Sequence, residues 1–539
     1  MEKSKSMSIT IWIIVLLSIV YVIIFWFPNA TASEDIAMVG VFEPDESMPL
    51  PYVLDMIKPA GSLGKTIRNF FAYEYYFYGF PYFAYSAVSI LPVKLIGAPE
   101  AQIPLVMVLL RQLVSVVPLL LAVILVVYMQ TGFKSVWKSV FLYLVILAVP
   151  AVVSNNFWWH PDGINVLLIV LTMFFLVKDD LSFGKFFYLA AFVCGFSTGV
   201  KQNGLFFVLT IAVYLLWGLL SKQIDLKRAV FLSIAFIAIM LIGLIVSNPL
   251  LLLSGPRQRY IAIFEKNRFD TSMGYGVFYP RGIKAAGPTL INYFGNWIYL
   301  VLAGMAPIFG IICNRNRLLN VIILSWSLVI GVYVLFFSLV KFQYVLPFAL
   351  PLFSSFAVYL PDFARVKQVF SGEGLPAKLW QVFTIVSTCV ITLQFIGYVQ
   401  SDIHSIVQRT ERQAAHPSIL FYEKVEDKLA PLIDRELVAY RDVRLYVPDN
   451  SSWEIIFSFE LLDYGFFEEH DPEVILLMQQ RLRDYLNPNV TGIDPAQLEI
   501  SREFYMDADV GNITGYTLVL RDDFGLAFVR DDIYLEIFD

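Results

Sequence analysis

From residue 8 to about residue 400, uncharged apolar runs alternate with short charged breaks, and beyond that the pattern becomes that of a water-soluble polypeptide. Runs long enough to cross a bilayer core of about 30 Å, or nearly so, occupy 8–27, 104–128, 136–153, 162–177, 186–199, 203–220, 229–247, 291–313, 318–339, 344–360 and 379–399. They predict eleven membrane helices. A twelfth apolar stretch, 80–97, is interrupted by Pro81 and Pro92.

Loop charge separates eleven crossings from twelve. With a cytoplasmic start and eleven spans, the inner loops hold Lys3, Lys5, Lys134, Lys178, Lys185, Lys222, Lys227, Arg228, Arg315, Arg317, Arg365, Lys367 and Lys378. The short outer loops hold no basic residue over 155–161, then Lys201 alone and Lys341 alone. This is the positive-inside distribution, and a crossing at 80–97 would reverse it. The stretch 80–97 is therefore predicted to lie along the outer interface, where its Tyr and Phe residues are favoured. Two long outer loops follow, 28–103 and 248–290, and residues 401–539 are also placed outside.

Composition sharpens the division. The chain is 58% hydrophobic and 16% charged, with a mean hydropathy of +0.66, whereas soluble domains run nearer a quarter charged. Residues 401–539 carry 12 Lys and Arg against 28 Asp and Glu, a balance of −16. Residues 1–400 therefore carry +10 of the chain's net −6. Cys194, Cys313 and Cys389 lie in or beside apolar runs and support neither a disulfide framework nor a Cys-ligated zinc site. The first apolar run, about 20 residues, exceeds a signal-peptide core and has no evident cleavage site, so it reads as a retained span. Sequons at Asn29, Asn450, Asn489 and Asn512 fall in segments placed outside. In the tail, 444–448 and 516–538 read as β-rich and 473–486 as a helix, giving a small α/β domain.

Three clusters carry candidate chemistry. Glu43, Asp45 and Glu46 stand about fifteen residues after the first span. Transfer of a sugar from a lipid phosphate needs no general acid, because phosphate is already a good leaving group. It needs a carboxylate to deprotonate or orient the acceptor hydroxyl, and cations to hold the departing phosphate. A solvated acidic loop explains the same residues equally well. The second cluster, Trp158, Trp159, His160, Pro161 and Asp162, opens the fourth span, where N-capping is the plain alternative for Asp162 and interfacial anchoring for the tryptophans.

The third is a set of cations expected on the outer face. Arg111 and Lys201 are the first choices for a phosphate clamp, with Arg257 and Arg259 behind them, while Lys266, Arg268, Arg281 and Lys284 share the second long loop. Snorkelling to headgroups is the alternative for most of them. His160 with Glu43, Glu46 or Asp162 is the one set from which a divalent cation could be held through mixed N/O ligands, although a single histidine without ligand spacing argues against it.

The order of these motifs resembles the C-type integral-membrane glycosyltransferase superfamily, nearest to its protein O-mannosyltransferase and lipid A aminoarabinose transferase group. The resemblance rests on Pro44-Asp45-Glu46, the 80–97 stretch, Arg111, His160-Pro161-Asp162, Lys201 in its turn, Asn248-Pro249, and Lys341 with Tyr344 and Pro347, over about residues 8–400. It implies an inverting transfer from a polyprenyl- or dolichyl-phosphate sugar, with Asp45 as base and Glu46 in support. From the residues themselves, donor-phosphate contacts are expected at Arg111, Lys201, Arg257 and Arg259, and sugar or acceptor contacts at Glu43, Trp159, His160 and Asp162. The family's usual Pro-Pro-Leu-type motif is not evident in the first loop, and the tail resembles no named module.

The sequence thus predicts a polytopic α-helical membrane protein of about eleven transmembrane helices over residues 1–400, with an extracytoplasmic α/β domain over 401–539. Its partners would be a polyprenyl-phosphate-linked sugar, an acceptor protein, lipid or glycan, and membrane lipids, but no nucleic acid. Its membrane would be a prokaryotic plasma membrane or the endoplasmic reticulum. The alternative is a transporter or flippase of lipid-linked glycans, which would place substrate groups near the bilayer midplane, often between related halves. No related halves are visible. The topology is open to a direct test: a cysteine replacing Ser451 should react with an impermeant maleimide in intact cells, and labelling only after permeabilisation would overturn the eleven-span reading.

Overall fold

The first helix, Glu2–Asn29, is 28 residues long and rises about 42 Å at 1.5 Å per residue, enough to cross a bilayer core. The computed structural model to which it belongs describes all residues except 1, 274–281, 339, 362–374, 459–460, 489–494 and 539, with the side chains of 2–4, 267–273, 375–377 and 495 also left out. Arg281, Arg365, Lys367 and the Asn489 sequon lie outside the described residues, as does the side chain of Arg268.

Helix covers most of each of the eleven apolar runs where they are described, with breaks at 148–149 and 295–296. Among the described residues six helices are long and apolar enough to cross by themselves, and a bent pair would make a seventh. Three more, Val136–Leu147, Lys185–Val200 and Phe342–Val358, are apolar but shorter. The chain is an integral membrane protein, and the figure of eleven crossings is not reached on length and apolarity alone. The bent pair, Ile283–Phe294 and Trp297–Ile312, turns by 88°. Gly295 allows the turn, because its φ of +109° is open to few other residues. Asn296 then caps the second helix by accepting the Tyr299 N–H at 3.0 Å.

The second span carries a local irregularity that matters later. Helix Ile103–Leu110 continues into a π-turn, Arg111–Val116, before regular helix resumes at Val117–Thr131. Pro118 lacks the N–H that would bond the Val114 carbonyl, so the ladder widens there. Helices Lys185–Val200 and Leu226–Ser247 pack side by side at glycines. A Cβ on Gly195 would collide with the Met240 carbonyl, and one on Gly243 with the Phe192 carbonyl. Small residues let such backbones approach in a membrane, where van der Waals packing has to drive association.

The first loop folds into short helices, Ile36–Phe42, Pro44–Ser47, Leu50–Met56, Leu63–Phe71 and Phe80–Ile90. Phe80–Ile90, at 11 residues, rises only about 16 Å and is too short to cross. Most of its residues, Tyr82, Phe83, Ala87 and Ile90 among them, are buried against Trp159 and the start of the second span. The helix of this loop with no buried residue is Leu63–Phe71, which exposes Leu63 and Ile67.

The last long helix, Leu375–Glu411, has 37 residues and spans about 55 Å, longer than a bilayer core. Its end delivers the chain to a five-stranded sheet of β1 (Val438–Arg441), β2 (Glu454–Ile456), β3 (Val474–Met478), β4 (Tyr516–Arg521) and β5 (Gly525–Arg530), in the order β2-β1-β3-β5-β4. The β2-β1-β3 side is parallel and the β3-β5-β4 side antiparallel. Alternate residues serve two cores. Val474, Leu476, Ala527 and Val529 face one, while Ile475, Leu477, Leu526 and Phe528 face the other. Ala37, Met38 and Val41 of the first loop pack into the former core, so the C-terminal sheet is seated on helix Ile36–Phe42.

The α/β character of the tail agrees with the sequence reading, but several elements do not. Segment 444–448 is a loop whose Tyr446 N–H is held by Ser418 Oγ at 2.6 Å. Segment 473–486 is a strand followed by helix Gln479–Leu486, and 516–538 is two strands and helix Asp531–Phe538. Asn29 is buried and donates to the Asn156 carbonyl at 2.9 Å, so its sequon is structural, whereas Asn450 and Asn512 are exposed. The glycine contacts yield a stability test. Gly195→Ala should cost about 1–3 kcal/mol through overpacking and lower the midpoint of thermal unfolding in nanodiscs; an unchanged midpoint would mean that the two helices are not in close contact.

Candidate active site

Three carboxylates within four residues of the first loop meet three different environments. Pro44 fits the first position of the one-turn helix Pro44–Ser47 because it has no N–H to satisfy. Glu46, in this turn, points into the protein and is fully buried against Arg111, itself fully buried. Arg111 Nη2 donates to Glu46 Oε2 at 2.6 Å and Nε to Oε1 at 2.9 Å. Arg111 Nη1 donates to the carbonyls of Asn29 at 2.9 Å and Thr31 at 3.0 Å. The Trp159 N–H closes the set on Glu46 Oε1 at 2.5 Å. A buried ion pair persists only where its remaining donors and acceptors are satisfied, and here four backbone or carboxylate acceptors surround the guanidinium.

Glu43 faces the other way. It forms ion pairs with Arg409, at the end of the last long helix, and with Arg412 at 3.0 Å. Asp45 lies between these two anchored glutamates. It is exposed, and among the described residues no hydrogen bond or ion pair engages its carboxylate.

A chain of polar groups runs beside it. Asp162 is fully buried at the start of helix Asp162–Asp179 and caps no backbone N–H. Its carboxylate instead takes Lys201 Nζ at 2.5 Å and His160 Nδ1. The other ring nitrogen, Nε2, is 2.8 Å from the Tyr78 hydroxyl. His160 stacks on Trp158 with ring centroids 4.4 Å apart, and its N–H bonds Ser115 Oγ at 3.2 Å. Lys201 Nζ lies 5.2 Å from the Tyr344 ring centre. Burial, and then the charge of Asp45, push the Tyr78 hydroxyl well above the ordinary tyrosine value. Burial lowers the Lys341 ammonium from its ordinary value, against the attraction of Asp45 and Asp162. Asp45, Tyr78, Asp162, Lys201, Lys341 and Tyr344 thus share one electrostatic neighbourhood.

The turn carrying Lys201 is locked to the first loop by backbone. The Gly79 N–H donates to the Val200 carbonyl at 3.2 Å, and Asn248 Nδ2 donates to the Gly199 carbonyl at 3.1 Å. A Cβ on Gly79 would collide with the Gly199 carbonyl. Asn248 Oδ1 also accepts the Phe80 N–H at 2.9 Å.

The expected site residues divide accordingly. His160, Asp162 and Lys201 come together, and the charge of Asp45 acts on Tyr78 and Lys341 without touching that cluster. Glu46 and Arg111 form a buried pair behind them, so Arg111 offers no open face to a donor phosphate. Trp159 is fully buried, stacked on Tyr82 at 5.2 Å, and offers no face to a sugar. Arg257 and Arg259 are exposed on helix Ser254–Met273. Arg259 lines a cleft of about 360 Å³ with Arg68, Glu74 and Tyr76, none of which belongs to the Asp162 cluster. Of the mixed ligand set considered at His160, Asp162 is in place but shared with Lys201, and arginines take both glutamates. Among the described residues no group of three His, Cys, Asp or Glu side chains is placed to hold a metal ion. Tyr78, Arg409 and Arg412 were not anticipated. Tyr78 is one of many aromatic residues in its stretch, and the two arginines lie beyond the membrane region.

No protein-family model matches the chain, and no curated protein matches it significantly by sequence. Solved structures do. ArnT from Cupriavidus metallidurans bound to undecaprenyl phosphate is 12% identical and aligns over 95% of this chain and 97% of its own, with a TM-score of 0.53. The apo state of the same protein gives 13% identity over 97% and 98%, with a TM-score of 0.49. The archaeal oligosaccharyltransferase AglB from Archaeoglobus fulgidus, in complex with an inhibitory peptide and a dolichol-phosphate, gives 9% identity over 83% and 72%, with a TM-score of 0.49. The first likeness, over nearly the whole of both chains, establishes the fold: this chain is folded like ArnT.

The buried pair sets a stability expectation. Removing one member leaves an uncompensated charge and typically costs about 3–5 kcal/mol, so Arg111→Ala should unfold at markedly lower temperature in nanodiscs. Arg111→Lys should recover only part of that loss, since one ammonium cannot reach the same spread of acceptors. Wild-type thermal stability in Arg111→Ala would return Arg111 to the role of a headgroup or phosphate ligand.

Proposed function

We propose that the protein is a membrane glycosyltransferase that takes its sugar from a polyprenyl-phosphate lipid and passes it, with inversion, to an acceptor outside the cytoplasm. The observation that supports this most is the lone Asp45 carboxylate. Its neighbours Glu43 and Glu46 are fixed by arginines, and it stands exposed in the field it shares with Tyr78 and Lys341. The acceptor hydroxyl oxygen attacks the anomeric carbon, the carbon–oxygen bond to the phosphate breaks, and its electron pair leaves with the phosphate. Asp45 receives the hydroxyl proton. Lys201 and Lys341 stabilise the phosphate as its charge grows.

His160 and Asp162 keep Lys201 and Tyr78 in place around the sugar. Arg111 and Glu46 act behind the site, as the support that aims Asp45. The lipid phosphates named for the structural neighbours, undecaprenyl phosphate with ArnT and dolichol-phosphate with AglB, agree with the proposed class of donor. A transporter or flippase has no observation in its favour, since the candidate groups gather at the span ends and not in a midplane cavity between repeats.

The test uses purified protein in nanodiscs with a panel of undecaprenyl-phosphate hexoses and pentoses, and protein, lipid and glycan acceptors, following release of undecaprenyl phosphate. Asp45→Asn is nearly isosteric but cannot take a proton, and should lose about 10²–10⁴ in turnover while binding undecaprenyl phosphate as the wild type does. Glu43→Gln should do less harm, and Glu46→Gln should fall between them. Near-normal turnover by Asp45→Asn would remove the base, and translocation without transfer in sealed vesicles would replace the enzyme with a flippase.

A further inference from the structure

Just beyond the last span, the chain is fastened to the loop that carries Asp45. Arg409 Nη2 and Arg412 Nη1 both bond Glu43 Oε1. Arg412 Nη2 reaches the Thr31 carbonyl at 3.4 Å, the same carbonyl that Arg111 takes from the other side. Thr31 Oγ1 donates to the Arg409 carbonyl at 3.1 Å. Gln413 accepts the Ala32 N–H at 3.0 Å and donates to Glu34 at 2.5 Å. Farther along, Asp449 accepts the Ile36 N–H at 2.8 Å, and Asp35 accepts both the Asp449 N–H and the Tyr446 hydroxyl at 3.2 Å.

Glu43 is the corner of this segment. Its φ of −142° and ψ of 79° break helix Ile36–Phe42 from helix Pro44–Ser47. Its carbonyl accepts the Glu46 N–H at 2.9 Å, so the turn bearing Asp45 hangs from Glu43. The clamp is sheltered: the side chains of Arg412 and Glu43 are 9% and 16% exposed. Arg412 also lies 5.0 Å from the Phe42 ring centre, and Arg409 lies 5.6 Å from that of Phe157. Charge-assisted bonds in such a place fix geometry more firmly than exposed pairs do.

We propose that Arg412, with Arg409, is a positioning residue for Asp45, tying the catalytic turn to the junction between the last span and the C-terminal domain. This rests on Asp45 being the base. The turn is held from two sides, by Arg111 through Glu46 and by the two arginines through Glu43. Loss of the second clamp leaves Asp45 attached but free to swing. A displacement of about 1 Å at a reacting group can cost a hundredfold in rate.

The test pairs a geometric readout with a kinetic one. In protein with Cys313 and Cys389 replaced by serine, a cysteine is placed at Met48, an exposed residue at the end of the Asp45 turn. Its alkylation rate by maleimide is measured alone and with Arg412→Gln, Arg412→Lys, Arg409→Gln or Glu43→Gln. Arg412→Gln and Glu43→Gln are each expected to speed labelling severalfold, the two together no more than either alone, and Arg412→Lys to restore the slow rate. In turnover, Arg412→Gln should lower kcat about 10–100-fold, with KM for the lipid-linked sugar and binding of undecaprenyl phosphate nearly unchanged. If Arg412→Gln does not fold, Arg412→Lys and Arg409→Gln carry the comparison. Unchanged labelling with unchanged kcat overturns the clamp. Asp45→Asn, measured alongside, separates the two ideas: full turnover there defeats the base alone and leaves the labelling result to decide the clamp.

Discussion

The buried ion pair of Glu46 and Arg111 is the constraint on which the rest of the site depends. Arg111 sits in the π-turn of a membrane helix, where an unpaired charge would be costly. Its guanidinium therefore draws in a carboxylate from the first loop, the carbonyls just after the first span, and, through Glu46, the backbone of Trp159 at the mouth of the fourth. One side chain thus joins three segments far apart in sequence. The Trp159 N–H fixes the backbone one residue ahead of His160, from which the chain of contacts runs to Asp162, Lys201 and Tyr78. Replacing the pair with apolar residues of equal volume could preserve stability, as for many buried pairs, but would lose the polar address that brings the loop to this spot.

Membrane architecture was legible because hydrophobicity is local. Each apolar run became mostly helix over its described residues, and the irregularities before Pro118 and at Gly295 fall where backbone chemistry favours them. What length could not convey was which helices cross. Lys185–Val200 has 16 residues and is packed by glycine contacts against a longer neighbour, so tertiary packing outweighs its hydropathy. The same limit misled the reading of the C-terminal sheet. Val474–Met478 is covered on both faces, and such a strand shows an unbroken apolar run that periodicity alone does not distinguish from helix. Segment 80–97 was expected to lie along the interface, yet its 11-residue helix is mostly buried in protein.

For the site, residue types were readable and partners were not. Three carboxylates near the first span drew attention as a group, but their roles separate only through residues distant in the chain. Glu43 meets Arg409, 366 positions away, and Glu46 meets Arg111, 65 positions away. Arg111 was expected to face a donor phosphate, and its guanidinium instead meets Glu46 and two carbonyls, because a sequence does not say that Glu46 turns inward. Trp159 failed for a related reason: of two adjacent tryptophans, Trp158 stacks on His160 and Trp159 fills the core. Tyr78 gave no usable signal among its aromatic neighbours. Lys341 and Tyr344 stood out only through resemblance, since a lone lysine at a span end is ordinarily a snorkelling residue.

The arrangement also gives the C-terminal domain a mechanical part in the proposed site. Two restraints on one short turn are needed to define its orientation, because a single anchor leaves rotation about itself. The first anchor comes from within the membrane helices. The second comes from the end of the long final helix, which carries Arg409 to Glu43. The sheet then covers Ala37, Met38 and Val41, burying apolar area that would otherwise leave helix Ile36–Phe42 loosely held. A membrane helix end that continued into an unfolded tail could supply the arginines but not that surface. With Asp45 as the proposed base, the C-terminal domain belongs to the proposed clamp that aims it.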